Sequence, residues 1–519
     1  MNPVNIEAKS NTNPMKKEDI ATMSEATTTQ PNTADELVSA LLASIKAAEA
    51  KQEHAVDKPI VEFPKRAGIE VRAGETRIGL PEDMTPEKAT RVMGEYVEAQ
   101  KQTIRSVRQI KGRIEDVWIA VHMICEKQWG TTGRGIPFRG QPPMFDDVQI
   151  GVDANGRSIT KRVIVSNFSL EPLSAEIDYG AWMHEEYGVC GMVSVVSTKS
   201  NEAKVTAFLD AVETFVENHS IYKGKVVEFR RKKNPDQMGE YELTHRAVKA
   251  DQNIVYTRYT EKRLKYNLFG TIEQSDAFKA ANMRNTFRTL LYGPYGSGKT
   301  ECTIMAAAKA SEYGWTTVFF SPGQDDGIRD LEAAHNLAAL YAPSLLVVED
   351  VDRYYAHDSV NAKSHITNIL DGMKSKTSGV SILMTTNHLD NIPQAATRPG
   401  RMDALIEIGF LDEEATERMF RQLLGDELAD DVDFSQVYEM VKETGPSFIR
   451  STFDRARKNS IITNDGEAGH ALTTDDLVFS AAEMKEQSDT HSSTKELTLA
   501  DRVLNNLKEK EELLKLLQA

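Results

Sequence analysis

The chain has 519 residues, 40% of them hydrophobic, and a formal net charge of −16. This length exceeds one compact domain, and the apolar content is enough to form proper cores. The acidic excess repels nucleic-acid phosphates, so nucleic acid is a possible but not a favoured partner. Cys125, Cys190 and Cys302 lie far apart and form no C-x-x-C pair, which argues against a disulfide framework or a structural zinc site and indicates a reducing compartment.

Membrane and export signals are missing from the sequence. It contains no run of about 18 apolar residues, and its first residues are polar and lack the apolar core of a signal peptide. We therefore expect no membrane association and a cytoplasmic location.

Residues 1–84 are rich in polar side chains, and we expect a mostly disordered tail. A short helix is predicted inside it, capped by Thr33, with Leu37, Leu41 and Ile45 on one face. This helix is either a docking peptide or a marginal local helix.

Residues 85–250 are predicted to form a long helix followed by a separate α/β domain. Thr85-Pro86-Glu87 is a strong helix start, because a capping hydroxyl precedes proline at the first helical position. Apolar residues then recur at steps of three and four, the spacing of a coiled-coil seam, at Val107, Ile110, Ile114, Val117 and Val121. The helix would pair between subunits or pack on the next domain.

The α/β domain is predicted from alternating patterns and turn signals. It should contain a hairpin around Asp153-Ala154-Asn155-Gly156, a strand over Met192–Val196, a helix over Glu202–Glu217 and a strand over Tyr222–Phe229. The basic run Arg230-Arg231-Lys232-Lys233 then contacts nucleic acid or an acidic substrate, or is a solvated hairpin tip.

A glycine-rich segment carries the strongest signal for chemistry. It fits the pattern G-x-x-x-x-G-K-[ST] in full, as Gly293, Pro294, Tyr295, Gly296, Ser297, Gly298, Lys299 and Thr300. An apolar strand precedes it and a helix beginning near Glu301 follows, so backbone N–H groups and the helix N-terminus can surround phosphate oxygens. The pattern predicts an ATP site in which Lys299 contacts the β- and γ-phosphates and Thr300 binds Mg²⁺.

An acidic segment further along the chain also supports the prediction of an ATP site. After Ser344, the four apolar residues Leu345 to Val348 predict a buried parallel strand, and Glu349 and Asp350 follow at its end, where ligands of α/β sheets bind. One carboxylate would hold Mg²⁺ and the other would polarise the attacking water, while Asp352 would cap the next helix.

Three further segments resemble the AAA family of ATPases. They are Asp371-Gly372-Met373, the Thr-Thr-Asn ending at Asn387, and Arg398-Pro399-Gly400-Arg401-Met402-Asp403. With the glycine-rich segment they cover residues 267 to 461. The resemblance implies a P-loop α/β fold with a parallel sheet over residues 251–412, a small helical lid over 413–463, and a flexible tail over 464–519.

The resemblance also implies roles for individual residues. Asn387 would be the sensor that orients the lytic water, and Arg398 and Arg401 would be arginine fingers acting on the neighbouring subunit of a homo-oligomeric ring, most simply a hexamer. The segment Asn267-Leu268-Phe269-Gly270 would contact adenine through Phe269 and Gly270. The order Glu349-Asp350 resembles mitochondrial translocases of the Rieske-protein type, and it assigns Glu349 to Mg²⁺ and Asp350 to water activation.

Three departures from the family pattern matter. The aromatic pore-loop triplet is missing from Ser321–Gly327. Tyr354 and Tyr355 either grip a polypeptide in its place or are buried. Gly445-Pro446-Ser447 replaces the usual lid sequence. Arg450 is either a second sensor or a surface residue.

The C-terminal tail is expected to be polar and flexible to about residue 496, then to form a helix with a leucine face that docks on the ring or on a partner. Two functions remain open at this stage. One is a ring ATPase that remodels or unfolds proteins, and the other is a DNA-transaction ATPase such as a loader or a replication or packaging accessory. No recognisable motif in the sequence identifies the molecule on which the ATPase would act.

Overall fold

The computed structural model describes residues 68–73, 76–81, 84–137, 141–236, 239–249, 254–321, 328–353, 379–464 and 470–493. The predicted helix after Thr33, the two candidate tyrosines, the motif at 371–373 and the leucine-rich tail helix lie outside these residues. Within the described ranges, no helix is both long enough and apolar enough to cross a membrane.

The first described elements are a hairpin and a helix. Strands β1 (Gly68–Ala73) and β2 (Thr76–Pro81) pair antiparallel inside the segment that we expected to be mostly disordered. Helix α1 (Pro86–Lys101) begins as predicted, because the Thr85 hydroxyl accepts a hydrogen bond from the Lys88 N–H.

The prediction of one long helix with a coiled-coil seam is wrong. After α1 the chain forms strand β3 (Thr103–Gln109), which pairs antiparallel with β9 (Gly188–Thr198). A separate helix, α2 (Ile114–Trp129), follows. The residues of β3 alternate between exposed and half-buried, as those of a strand do. Val107, the first residue of the helical spacing that we read, is exposed.

The N-terminal α/β region is built around a five-stranded sheet in the order β3-β9-β8-β7-β4. The predicted hairpin forms from β5 and β6, and in its turn Asp153 Oδ1 accepts hydrogen bonds from the N–H groups of Asn155 and Arg157. The remaining bounds are β4 (Arg134–Gly135), β5 (Phe145–Val152), β6 (Ser158–Ile164), β7 (Phe168–Leu170), β8 (Ala175–His184) and α3 (Glu202–His219).

A second sheet has seven strands in the order β11-β10-β13-β14-β15-β12-β16. Strands β10 (Val226–Asp236) and β11 (Gly239–His245) belong to it, because β10 pairs parallel with β13 (Thr316–Phe320). The predicted domain boundary at residue 250 is therefore wrong, since both strands precede it and form one edge of the sheet.

The basic run is part of β10 and is not a hairpin tip. Arg230 lies 2.6 Å from a carboxylate oxygen of Glu228, and Arg231 lies 3.7 Å from one of Asp330. Nearby carboxylates therefore offset the charge of the first two residues of the run.

The other elements of this sheet follow the predicted order. The strands are β12 (Arg288–Tyr292), β14 (Ser344–Val348), β15 (Val380–Thr386) and β16 (Ala404–Glu407), and the helices are α4 (Arg258–Leu264), α5 (Gly270–Glu273), α6 (Ser275–Ala280), α7 (Lys299–Glu312), α8 (Ile328–Leu340) and α9 (Gln394–Thr397). A π-helical turn at Lys265–Phe269 joins α4 to α5.

The central strands β13, β14 and β15 of the seven-stranded sheet are buried on both faces. In β14, Leu345 and Val347 enter one hydrophobic cluster, and Leu346 and Val348 enter the other, as the alternation of a strand requires. The second cluster continues without a break into the N-terminal α/β region, where it includes Val117 of α2. The two regions therefore share a core, although their sheets are separate.

A buried polar contact joins the same two regions. The Tyr341 hydroxyl, after α8, donates a hydrogen bond of 2.5 Å to Asp116 in α2 and accepts one from the Arg113 N–H. The other oxygen of Asp116 accepts from the Ile221 N–H. Burial raises the pKa of Asp116 to about 6, although the bonds from Tyr341 and Ile221 favour the carboxylate.

This shift gives a pH prediction. Because the folded chain holds the Asp116 proton more tightly than the unfolded chain does, the stability due to this group falls as pH rises from about 4 to about 6. The change is on the order of 3 kcal/mol. We expect the thermal midpoint of the wild type, measured relative to Asp116→Asn, to fall across that window. If the difference in thermal midpoint between the two proteins stays constant across that window, the pKa of Asp116 is not raised in the folded chain.

The lid is larger than predicted. It consists of α10 (Glu413–Leu424), α11 (Phe434–Val441), α12 (Pro446–Thr463) and α13 (Thr474–Ser493). The last helix lies in the tail that we expected to be flexible. It buries Leu477 and Ala481 in the lid core, and its Glu483 accepts a hydrogen bond of 3.0 Å from Asn459. The expectation of a flexible segment is therefore wrong for residues 474–493.

Candidate functional site

A cavity of about 610 Å³ lies between the glycine-rich loop, the ends of β14 and β15, and the lid. Its lining consists of Ile254, Val255, Tyr256, Tyr295, Gly296, Ser297, Gly298, Lys299, Thr300, Glu301, Asp350, Thr385, Asn387, Met419, Pro446, Ser447, Arg450, Ser451 and Asp454. Most residues of the predicted P-loop meet one predicted carboxylate and the predicted sensor here.

The loop needs glycine for both conformation and space. Gly296 and Gly298 have φ angles of 71° and 98°, in the left-handed region that favours glycine. A side chain at Gly296 would also approach the Ser447 hydroxyl of the lid to 2.3 Å. The loop and the lid are therefore in direct contact, and the Ser447 N–H donates a hydrogen bond of 3.3 Å to the Gly296 carbonyl.

Lys299 lies at the start of α7, and its ammonium group donates to the carbonyls of Gly293 and Pro294 at 2.9 and 2.7 Å. Burial lowers its pKa, and the charges of Asp350 and Asp352 oppose that shift. Lys299 is therefore a cation held inside the loop, close to the acidic end of β14.

The two carboxylates after β14 point to different partners. Glu349 accepts hydrogen bonds from the hydroxyls of Thr303 and Ser321 at 3.4 and 3.2 Å. Burial raises the pKa of Glu349, while the charge of Arg246 and the two hydroxyl contacts favour the carboxylate. Arg246 follows β11, and sequence reasoning missed it because that segment had no recognisable motif.

Asp350 lines the cavity and has a φ of 48°, which an aspartate tolerates better than most residues. Its two carboxylate oxygens accept hydrogen bonds from Asn387 Nδ2 at 3.1 Å and from Arg353 at 2.8 Å. Left-handed non-glycine residues concentrate at functional sites, because the surrounding structure must hold them.

The Thr-Thr-Asn segment fixes the acidic turn. The Thr385 hydroxyl accepts from the Asp350 N–H at 3.0 Å, and the Thr386 hydroxyl donates to Asp352 at 2.8 Å. Asp352 is buried and engaged in this contact, and the residues of the helix that we expected it to cap lie partly outside the described ranges.

Arg398 and Arg401 do not line the cavity of their own chain. Residues 398 to 403 form a turn, in which the Arg401 side chain donates to the Ala395 carbonyl. Asp403 contacts Arg288 at the first residue of β12, whereas the glycine-rich loop follows Tyr292 at its last. The arginine turn and the P-loop therefore lie at opposite ends of one strand.

The segment predicted to contact adenine is placed elsewhere. Phe269 packs against the hydrophobic core, and a side chain at Gly270 would approach the Lys265 carbonyl to 2.7 Å. Neither residue is in the cavity lining, where Ile254–Tyr256 is found instead. Tyr256 donates a hydrogen bond of 3.0 Å to the Gly298 carbonyl, a contact that only the tertiary fold creates.

The structure also joins the P-loop to the residue after the predicted sensor. Tyr295 is 70% exposed, and its hydroxyl lies 3.2 Å from His388 Nε2, with the two rings in edge contact at 5.8 Å. Because His388 follows Asn387 directly, this pair connects two walls of the cavity.

We expect Tyr295→Phe and His388→Ala each to lower kcat for ATP by about 2–10-fold, with a smaller change in KM. This range corresponds to the free energy lost with one hydrogen bond. If the pair acts as one unit, the double variant is no slower than the worse single variant. Tyr313→Phe, an exposed tyrosine after α7, is the matched control. Additive losses would show that the two residues act independently.

The mostly parallel sheet, in which only β11 pairs antiparallel among the described strands, the glycine-rich loop before α7 and the acidic end of β14 define a P-loop nucleotide-binding protein. Residues 289–410 match the family model described as "ATPase family associated with various cellular activities (AAA)". Residues 289–410 thus resemble an ATPase domain of the AAA family, and the predicted resemblance and fold class are confirmed.

Curated relatives agree with this assignment. A probable mitochondrial chaperone bcs1 of Schizosaccharomyces pombe is 32% identical over 155 residues, which are 28% of this chain and 33% of the relative. A cell division cycle protein 48 homolog of Archaeoglobus fulgidus is 24% identical over 331 residues, which are 58% of this chain and 44% of the relative. A proteasome-activating nucleotidase of Methanopyrus kandleri is 24% identical over 196 residues, which are 35% of this chain and 44% of the relative. The chain therefore spans a third to less than half of the length of these relatives.

Proposed function

We propose that the protein is a ring-forming, Mg²⁺-dependent ATPase that uses ATP hydrolysis to remodel or unfold protein clients. The observation that carries the proposal is the meeting of Lys299, Asp350 and Asn387 in one cavity, closed on one side by a helical lid. The names of the relatives, a chaperone and a proteasome-activating nucleotidase, favour proteins over nucleic acids as clients.

In this proposal each residue has one task. Lys299 leaves its carbonyl partners to bind the β- and γ-phosphates, and the loop N–H groups bind the remaining phosphate oxygens. Asp350 accepts a proton from the attacking water, and Asn387 holds that carboxylate in place. Ile254–Tyr256 and Met419 contact the base in place of Phe269 and Gly270.

The residues also fit a magnesium ion. Thr300 is exposed at the start of α7, and Glu349 offers a carboxylate beside that helix, so the donors are the oxygen ligands that Mg²⁺ prefers. Bound Mg²⁺ would neutralise charge on the phosphate oxygens. The hydroxyls of Thr303 and Ser321 would orient the Glu349 carboxylate.

The client class is tested by the response of the ATPase to nucleic acid. We expect single- and double-stranded DNA to change the rate by less than about twofold at roughly 0.15 M salt, because phosphate binding needs a basic surface. The net charge is −16, and Arg230 and Arg231 already face carboxylates.

A several-fold activation by DNA that weakens with added salt would favour the alternative, a DNA-transaction ATPase. Capture of proteins by Asp350→Asn in the presence of Mg·ATP tests the favoured function directly. The same capture with Lys299→Ala, which lacks the phosphate contact, is its control. Equal recovery by both variants would contradict an ATP-dependent client interaction.

A further inference from the structure

A second cavity, of about 310 Å³, lies where the β5–β6 hairpin meets β10 and β11, beside the end of α7. Its lining includes the cations Lys225, Arg246 and Lys249 and the carboxylate of Asp153. Its volume is at the lower end of the range for small-molecule sites. It shares no lining residue with the ATP cavity.

The charges in this cavity do not balance. The Asp153 carboxylate already accepts two backbone N–H groups in its own turn. His245 lines the cavity at 7% exposure, and burial lowers its pKa to about 4, so it is neutral at pH 7. The lining therefore holds three cations and one carboxylate, and of the three cations Arg246 also acts on the nearby carboxylate of Glu349.

Lys225 is the residue that most needs a partner. It is half-buried and burial lowers its pKa. Its backbone hydrogen-bonds to Tyr222 and Thr317, but its ammonium group makes no hydrogen bond or ion pair with the part of the chain that the structure describes. Lysines are seldom withdrawn from water without a counter-charge, because desolvating an ammonium group costs free energy. A bound anion would supply that counter-charge.

We propose that this cavity is a binding site for a small anion, the phosphate or carboxylate group of a metabolite, held by Lys225 and Arg246. The Arg246 guanidinium stacks over the Phe319 ring at 4.4 Å, which fixes it beside the cavity. Its charge also acts on Glu349 of the ATP site. An anion here would thus alter the electrostatics of that carboxylate, and this consequence alone rests on the proposed function.

The test uses the full chain with ADP in excess, so that added phosphate does not act through the P-loop. Inorganic phosphate or citrate replaces chloride at constant ionic strength, and the thermal midpoint is measured. We expect both probes at about ten times their dissociation constant to raise the wild-type midpoint by roughly 1–2 °C. Lys225→Met should abolish this response.

The control is Lys223→Met, two residues away and exposed, where the ammonium group donates to the Glu217 carbonyl. This variant should respond as the wild type does. In chloride alone, Lys225→Met should melt above the wild type, because it removes an unpaired charge. A response to phosphate alone would identify a phosphorylated ligand, and a response to citrate alone would identify a carboxylate.

Two results would overturn the site. One is an equal response in wild type, Lys225→Met and Lys223→Met, which would place anion binding elsewhere, and the other is no response to either probe. Repeating the titration in Lys299→Ala separates this proposal from the ATPase assignment. The Lys225-dependent response should survive there even if the P-loop no longer binds nucleotide.

Discussion

Asp350→Asn should bind Mg·ATP with an affinity within a few-fold of the wild type and hydrolyse it about 10²- to 10⁴-fold more slowly, the contribution of a general base. The side chain lines the ATP cavity, and Asn387 holds it. An asparagine keeps the volume and a hydrogen bond to its neighbours but cannot accept the proton of the attacking water. Binding is measured with a fluorescent ATP analogue and hydrolysis by phosphate release.

Asp390→Asn is the matched control, because Asp390 is exposed and follows the sensor segment without lining the cavity. Its turnover should equal that of the wild type. Wild-type turnover in Asp350→Asn would show that the base lies elsewhere. Loss of Mg·ATP binding in that variant would favour the opposite assignment, in which Asp350 holds the metal and Glu349 does not.

The P-loop and the acidic strand end were predictable because local sequence determines their structure. Four consecutive apolar residues, Leu345 to Val348, favour a central parallel strand, and the position of β14 next to β13 and β15 brings Asp350 to the loop. Gly296 and Gly298 encode the loop conformation directly, since few other residues adopt their φ angles.

The prediction that Phe269 and Gly270 contact adenine differs from the structure for another reason. The hydrophobic residues of Lys265–Phe269 form a π-helical turn that supports the core, and nothing in their pattern distinguishes a supporting role from a binding role. Tyr256 reaches the P-loop only because Thr257 caps α4 and directs the preceding chain toward the loop. Such contacts depend on tertiary structure.

The predictions of one long helix and of a flexible tail were wrong for related reasons. In β3 the two apolar residues, Ile104 and Val107, are three apart, which fits a helix, and pairing with β9 nevertheless makes this segment a strand. In α13 the average polarity concealed three buried positions, Leu477, Ser480 and Ala481, and the two apolar ones pack into the lid core. Tertiary packing stabilises many helices that intrinsic propensity alone would not.

The arginines of the 398–403 turn should act in trans. Within one chain the turn lies at the amino end of β12 and the P-loop at its carboxyl end, so the two cannot meet at one phosphate. A guanidinium supplied by a neighbouring subunit offers planar, charge-assisted contacts to phosphate oxygens. The interface is then head-to-tail and must close into a ring or continue as a filament.

We expect Arg401→Ala, or Arg398→Ala if that residue is the finger, to lower kcat by about 10³- to 10⁵-fold, as in other phosphoryl-transfer systems with arginine fingers. Arg401 also holds the Ala395 carbonyl, so its loss disturbs the turn itself, whereas Arg398 is exposed. Comparing the two variants separates a change in the turn from the loss of a finger.

The deciding measurement mixes Lys299→Ala with Arg401→Ala, each inactive alone. If subunits exchange at random in a ring, about a quarter of the interfaces pair an intact P-loop with an intact arginine, and a corresponding part of the ATPase activity returns. Mixing Lys299→Ala with a Lys299→Ala, Arg401→Ala double variant restores nothing and is the control. Full activity of dilute monomers, or wild-type activity in Arg401→Ala and Arg398→Ala, would show that the site is complete within one chain. Recovery in the first mixture alone requires that one subunit complete the site of the next.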